Sequence, residues 1–191
     1  MKALILNGSP KKKGSTNLIL TRISEGLNDS IIQSELINIS DFKLNYCTGC
    51  EYCMTHLKCI QNDDIHLLTQ KIIENNIIVI GSPSYWGYVT GQLKVFFDRC
   101  TPLCNTNPSG TIVPKGKIGF SIALRAGKNK NENLEIINAI NHFYSHLEII
   151  PVGSFTIENI SNIKDIKNNK ELLKNVYNIG AEFKTMCQNV V

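Results

Sequence analysis

No stretch of the 191-residue chain stays apolar long enough to cross a bilayer. The longest runs, such as Ile77 to Ile80, fall far short of the roughly 20 residues a spanning helix needs. Met1 leads straight into Lys2-Ala3-Leu4-Ile5-Leu6-Asn7-Gly8, without the charged start, apolar stretch and small-residue cleavage site of a secretory leader. Charge of one sign is also scarce: 20 basic against 16 acidic residues leave +4, and Lys11-Lys12-Lys13 is the only dense basic run. Tracts that interleave basic residues with aromatics are missing, which argues against nucleic acid as a partner. There is no repeat, linker or low-complexity tract, and 42% hydrophobic against 19% charged residues excludes disordered and fibrous classes. The expectation is a soluble, cytoplasmic chain folding as one domain over residues 1–191, with no membrane partner.

Cysteine is what the sequence has in excess. Seven are present, and Cys47, Cys50, Cys53 and Cys59 fall within one short segment. A secreted disulfide scaffold would be shorter and would spread its cysteines along the chain. In a cytosolic chain such a cluster more often binds metal. The segment reads C-x₂-C-x₂-C-x₅-C, and Gly49 permits the tight turn that lets four thiolates converge. The first three spacings match the bacterial ferredoxin run; the fourth is longer and is followed by Ile60 where that run has proline. The longer return suits four ligands on one [4Fe–4S] cluster. A four-cysteine structural zinc site remains the alternative, although zinc sites usually set two C-x-x-C knuckles well apart.

Hydrophobic periodicity alternates strand and helix along the rest of the chain. Strands are expected over 2–6, 34–39, 77–80, 117–124 and 147–152. Helices are expected over 16–27, 63–75, 92–99, 133–145 and 170–187, with Asp63 and Asp64 in the first turn of the second. Residues 40–62 show no convincing period. Strands apolar on both faces and separated by helices predict a doubly wound α/β fold with a five-stranded parallel sheet of order 2-1-3-4-5. The cysteine-rich loop, about residues 43–62, follows the second strand.

In such a sheet a ligand sits beyond the carboxyl ends of the strands, at the switch point between the first and third. Two loops lie there, residues 7–17 and 81–91. The first supplies small hydroxyl side chains and two glycines just before a helix N-terminus, where free N–H groups and the dipole favour an anion. It is neither a Walker A loop nor G-x-G-x-x-G; an ordinary turn with Ser15 as N-cap is the alternative. The second, Pro83-Ser84-Tyr85-Trp86-Gly87, sets the only tryptophan and a tyrosine in a turn. Rings there suit a planar aromatic ligand, with Gly87 allowing close backbone approach; a surface pair covering the sheet edge is the alternative. Leu124-Arg125-Ala126-Gly127 supplies a third wall. Phosphate on one loop and a flat ring against the others describe an FMN site.

Gly8-Ser9-Pro10 with Ser15-Thr16-Asn17, then Pro83-x-Tyr85-Trp86-Gly87, then Gly91-Gln92-Leu93-Lys94-x-Phe96-Phe97-Asp98-Arg99 resemble, in order, the flavodoxin-like superfamily that includes NAD(P)H-dependent FMN reductases. That resemblance, which spans nearly the whole chain, implies that Ser9, Ser15, Thr16 and Asn17 hold the phosphate. By the same resemblance Lys11 would add a phosphate contact, in a part of the loop where many relatives carry arginine. Tyr85, Trp86 and Gly87 would meet the isoalloxazine, and Pro83, Ser84, Arg125 and Gly127 complete the cofactor-binding set. Asp98-Arg99 reads as structural, closing a helix.

More narrowly, the sequence resembles the iron–sulfur flavoproteins of anaerobic archaea and bacteria, whose signature is a compact four-cysteine segment after the second strand. The resemblance implies a [4Fe–4S] cluster on Cys47, Cys50, Cys53 and Cys59 and one FMN per subunit. It also implies a homodimer or homotetramer, electrons arriving from ferredoxin, and reduction of oxygen or peroxide by the flavin. No catalytic side chain is assigned, since the chemistry resides on FMN. Related FMN-only reductases keep cysteines in this region without a cluster, so an NAD(P)H-dependent FMN or quinone reductase is the second reading. A flavodoxin-like carrier or zinc-stabilised binding module is the third. Cys100, Cys104 and Cys187 are read as buried small hydrophobes. His142 and His146 share a helix face without a carboxylate partner, and Lys128 to Lys130 form a solvated loop.

Overall fold

The computed structural model describes residues 1–188, with side-chain surroundings to Met186. The chain runs β1 (Lys2–Asn7), α1 (Ser15–Asp29), β2 (Gln33–Asn38), α2 (Tyr52–His56), α3 (Ile65–Glu74), β3 (Ile77–Pro83), α4 (Gly91–Arg99), β4 (Ile118–Leu124), α5 (Lys130–His146), β5 (Ile150–Ile157), α6 (Ile163–Lys167), α7 (Lys170–Ala181) and α8 (Phe183–Gln188). All strand pairs are parallel, and the order is β2-β1-β3-β4-β5, as expected. No described helix is long and apolar enough to cross a membrane.

Alternation along the strands explains the layers. Side chains of a strand point to opposite faces in turn. Leu4, Leu6, Ile78 and Ile80 join a core with α3, α4 and α5, through residues such as Leu68, Phe96 and Ile140. Their neighbours Ala3, Ile5, Ile77 and Val79 join the opposite core with α1 and α7, through Ile19, Ile23 and Val176. Every residue of β4 is buried, and each large apolar side chain so placed contributes roughly 1.5–3 kcal/mol. On the second face α1 and α7 touch backbone to backbone at Gly26 and Gly180. A Cβ at either glycine would stand 2.2 Å from a carbonyl oxygen of the other helix.

Departures from the expected elements have local causes. The fifth strand lies later than the expected 147–152. Leu147 caps α5, Glu148 is left-handed (φ 54), and pairing with β4 begins at Ile150. As an edge strand β5 is largely half-exposed, and its Gly153-Ser154 reads as turn by composition. Asp63 and Asp64 precede α3 and do not occupy its first turn. The expected closing helix breaks at Glu182 into α7 and α8, and the side chain of Cys187 lies outside the described residues.

Because the strands are parallel, their carboxyl ends share one edge of the sheet. Asn7 stands beside Asn38 and Gly81, and Pro83 beside Leu124. The loops after β1, β3 and β4 and the cysteine-bearing segment after β2 therefore emerge side by side.

Candidate functional site

The loop after β1 is tied down by backbone and amide groups. Gly8 N–H donates to the Gly81 carbonyl at 2.8 Å. The Gly8 carbonyl accepts from the buried Thr90 hydroxyl and from Gln92 Nε2. Asn7, fully buried, accepts the Ser9 N–H at 3.0 Å and donates to Asn38 at 2.8 Å. Ser9 is buried, and its hydroxyl accepts the Lys11 N–H at 3.1 Å. Lys11 itself is exposed. α1 starts one residue earlier than an N-cap at Ser15 requires: its N-cap is Gly14, in extended backbone, and no side chain caps it. The N–H groups of Ser15, Thr16 and Asn17 lie ahead of the first intrahelical bond, Leu18 N–H to Gly14 O at 3.1 Å. With no acidic residue in that turn, an anion meets free donors and the positive end of a four-turn dipole.

The loop after β3 forms a small hairpin. Tyr85 and Tyr88 exchange backbone bonds at 3.0 and 3.1 Å. Trp86 and Gly87 between them are both left-handed, at φ 55 and 76, as a two-residue primed turn requires. Glycine adopts that conformation freely, whereas tryptophan is strained there. The Trp86 indole is fully exposed and Tyr85 and Tyr88 are partly so. Pro83 ends β3, and Ser84 N–H donates to the Leu124 carbonyl at 2.7 Å. The Ser84 hydroxyl reaches Glu132 at 3.1 Å. Arg125 is turned onto the same Glu132, also at 3.1 Å, and its Nη2 fills the space above Gly127. The second and third loops are thus linked through one carboxylate.

The cysteine segment contains a short helix that periodicity missed, α2, which carries Cys53. It is wrapped by three left-handed residues: Gly49 at φ 66, Glu51 at φ 58 and Leu57 at φ 52. Cys47, Cys50, Cys53 and Cys59 are all free thiols and line one pocket with Arg99, Asp98 and Glu51. The Tyr52 N–H and the Thr48 hydroxyl pull the Cys50 thiol below its ordinary value. Burial, then the nearness of Cys59, Cys47 and Cys50, push Cys53 up. Among the described residues, no three Cys, His, Asp or Glu side chains are disposed to hold a single metal ion. A tetrahedral zinc draws its sulfurs in to about 2.3 Å. A cubane takes each thiolate on a different iron, and the four free thiols lining one pocket match that donor set in number and kind.

Arg99 is the residue sequence reasoning undervalued. It sits in the last turn of α4, 1% exposed, and forms a two-pronged pair with Asp63 at 2.8 and 2.9 Å. Burial alone would lift the Asp63 carboxyl, but Arg99 and the Asn45 and Ile65 N–H groups outweigh it and hold the pKa below the usual carboxylate value. Burial likewise works against the guanidinium, and the bonds to Asp63 and Cys59 keep it above its ordinary value. A buried pair 36 residues apart in sequence leaves no periodic signal.

Cys100 is buried, as expected of a small hydrophobe. Cys104, in contrast to the expectation of a buried small hydrophobe, is half-exposed, with its sulfur 3.1 Å from the Thr106 hydroxyl and 3.4 Å from His146 Nδ1. His146 Nε2 in turn lies 3.1 Å from His142 Nε2.

The family model for NADPH-dependent FMN reductases matches residues 1–161. An iron–sulfur flavoprotein of Archaeoglobus fulgidus is 36% identical over 153 residues, 80% of this chain and 66% of its own length. One from Methanocaldococcus jannaschii is 32% identical over 150 residues, 78% of this chain and 75% of its own length. The chain thus spans just under two thirds of the first relative and three quarters of the second. Among solved structures, an NAD(P)H:quinone oxidoreductase from Methanothermobacter marburgensis superposes with a TM-score of 0.76 at 15% identity, covering 96% of this chain and 97% of the other. A flavone reductase reaches the same TM-score at 14% identity, covering 100% of this chain and 64% of its own. Both confirm the flavodoxin-like fold.

Proposed function

Since this chain belongs to the NADPH-dependent FMN reductase family and, within it, to the iron–sulfur flavoproteins, we propose that it carries electrons from ferredoxin, through a [4Fe–4S] cluster on Cys47, Cys50, Cys53 and Cys59, to FMN. It is a redox flavoprotein and an oxidoreductase. The observation that carries the finer reading is the placement of four free thiols in one pocket, on the same sheet edge as an uncapped helix N-terminus. When bound, the cluster supplies one-electron transfer, and FMN takes electrons singly and releases them in pairs.

The chain's own groups define where each cofactor is held. The N–H groups of Ser15, Thr16 and Asn17, with the Ser9 hydroxyl, receive the phosphate, and Lys11 is free to add a charge. Gly8 and its staples from Thr90 and Gln92 fix the phosphate loop against the hairpin loop. The hairpin of Tyr85, Trp86 and Gly87 offers backbone and rings to the isoalloxazine, with Pro83 and Ser84 at its base and Gly127 opposite. Arg125 acts by fixing Glu132 and through it Ser84. A groove is lined by Pro10 of the phosphate loop, by Phe42, Leu44 and Tyr46 ahead of the cysteines, and by Gln92 and Val95 of α4. The exposed Trp86 and Tyr46 favour assembly as a homodimer or homotetramer, in which a second copy covers the open ring face. Oxygen or hydrogen peroxide is the acceptor proposed for the reduced protein.

The competing reading, an NAD(P)H-dependent FMN or quinone reductase without a cluster, takes its support from the family's name. Anaerobic rapid mixing separates the two. Reduced ferredoxin is expected to bleach the flavin absorbance quickly, and NADPH slowly or not at all, because no second nucleotide-binding motif accompanies the flavin loops. Fast NADPH reduction, with ferredoxin inert, would replace the cluster reading with the reductase reading.

A further inference from the structure

We propose, resting on the iron–sulfur reading above, that Arg99 is a positioning residue of the cluster: its hydrogen bond orients the Cys59 sulfur and raises the cluster's reduction potential. Arg99 Nη2 donates to Cys59 Sγ at 3.3 Å as well as to Asp63 Oδ1 at 2.9 Å. Nη1 donates to the Asn45 carbonyl at 2.6 Å and to Asp63 Oδ2 at 2.8 Å. Asp63 also accepts the N–H groups of Asn45 at 2.9 Å and Ile65 at 3.1 Å. Residues 45 and 63 flank the cysteine segment on either side. One guanidinium therefore closes both ends of the loop onto the last turn of α4 and aims a donor at the last of the four sulfurs.

That donor is permanent, because a guanidinium does not lose its proton in a protein. Among the described residues Arg99 is the only cation lining the pocket of the four cysteines, and the acids that line it, Glu51 and Asp98, are exposed to solvent. Asp98 is further engaged by Lys94. With 1% exposure for Arg99, water screens its charge little. Reduction adds one negative charge to a centre already carrying four thiolates. A charge-assisted bond to a ligating sulfur stabilises the reduced state more than the oxidised one and moves the potential upward. Asp63 opposes this in part, since its carboxylate shares the guanidinium.

The test is an anaerobic titration of reconstituted protein, following the cluster by electron paramagnetic resonance and measuring iron, zinc and FMN on each sample. Arg99→Gln is expected to keep FMN and iron and to make one-electron reduction of the cluster at least tenfold less favourable, a shift of about 59 mV to lower potential. Arg99→Lys, which keeps the charge but loses the fork, is expected to shift less. Asp63→Asn, which frees the guanidinium for the sulfur, is expected to shift the other way. If Arg99→Gln does not fold, the Arg99→Gln, Asp63→Asn double variant replaces the ion pair by two amides, and its potential is expected to fall below that of Asp63→Asn. Full iron with an unmoved potential in the glutamine variants overturns the proposal. So does equal loss of iron from the Lys and Gln variants with FMN retained, which would make Arg99 a packing residue only. Wild-type protein with zinc and no iron would overturn the iron–sulfur reading itself, a result distinct from either.

Discussion

Replacing Cys50 and Cys53 together by alanine is expected to remove the iron and to abolish flavin reduction by ferredoxin, while FMN stays bound and photoreducible. Two of four ligands are lost, so the remaining thiols cannot complete a four-cysteine cluster. Neither sulfur belongs to the core: Cys50 is exposed and Cys53 only half-buried, so the fold itself should change by no more than about 0.5 kcal/mol. Among the described residues the flavin loops share no hydrogen bond with Cys50 or Cys53. The comparison is read by iron analysis, flavin absorbance and anaerobic rapid mixing on one preparation. Ferredoxin-driven reduction at the wild-type rate in the double variant would show that the cysteines are not on the electron path.

Ser15→Asp is expected to weaken FMN binding at least about 100-fold, because a carboxylate at the first helical position occupies the charge environment meant for the phosphate. The same substitution favours the helix. α1 has no acidic residue in its first turn and no side-chain cap, and an aspartate there contributes about 0.3–1 kcal/mol through the dipole. Apo-protein should therefore melt at the same temperature or higher while FMN is lost, a combination that misfolding does not produce. Binding followed by quenching of flavin fluorescence, with the melting curve of the apo-protein beside it, gives both numbers. Unchanged FMN affinity would move the phosphate away from this helix.

The parts of the fold that could be read from sequence are those where a single strand or helix carries its own signal. Ala3 to Leu6 and Ile77 to Ile80 are apolar on both faces because both faces are covered, and that run is visible without partners. The position of β5 is hard to read because an edge strand needs only one buried face, and the buried Leu147 and Ile149 lie in the turn between α5 and β5. α2 was invisible: five residues with no buried face have no period to detect. The site divides in the same way. Spacing showed the four cysteines and the hydroxyls of 15–17 because local sequence carries them. Local sequence makes Asp63 a helix-dipole group and Arg99 a helix end, whereas their physical partners are each other, Asn45 and Cys59. Such a node exists only once the loop after β2 has folded back on α4. Cys104 and His146 meet for the same tertiary reason, 42 residues apart. Trp86 was rightly placed in a turn, but its full exposure could not be read from composition.

The account is tested most directly by counting cofactors on one anaerobically purified and reconstituted sample. Iron, acid-labile sulfide, zinc and FMN are measured per chain. A four-cysteine cubane beside a flavin predicts roughly four irons, four sulfides and one FMN, with zinc absent. One zinc with no iron, or no flavin at saturating FMN, would contradict it.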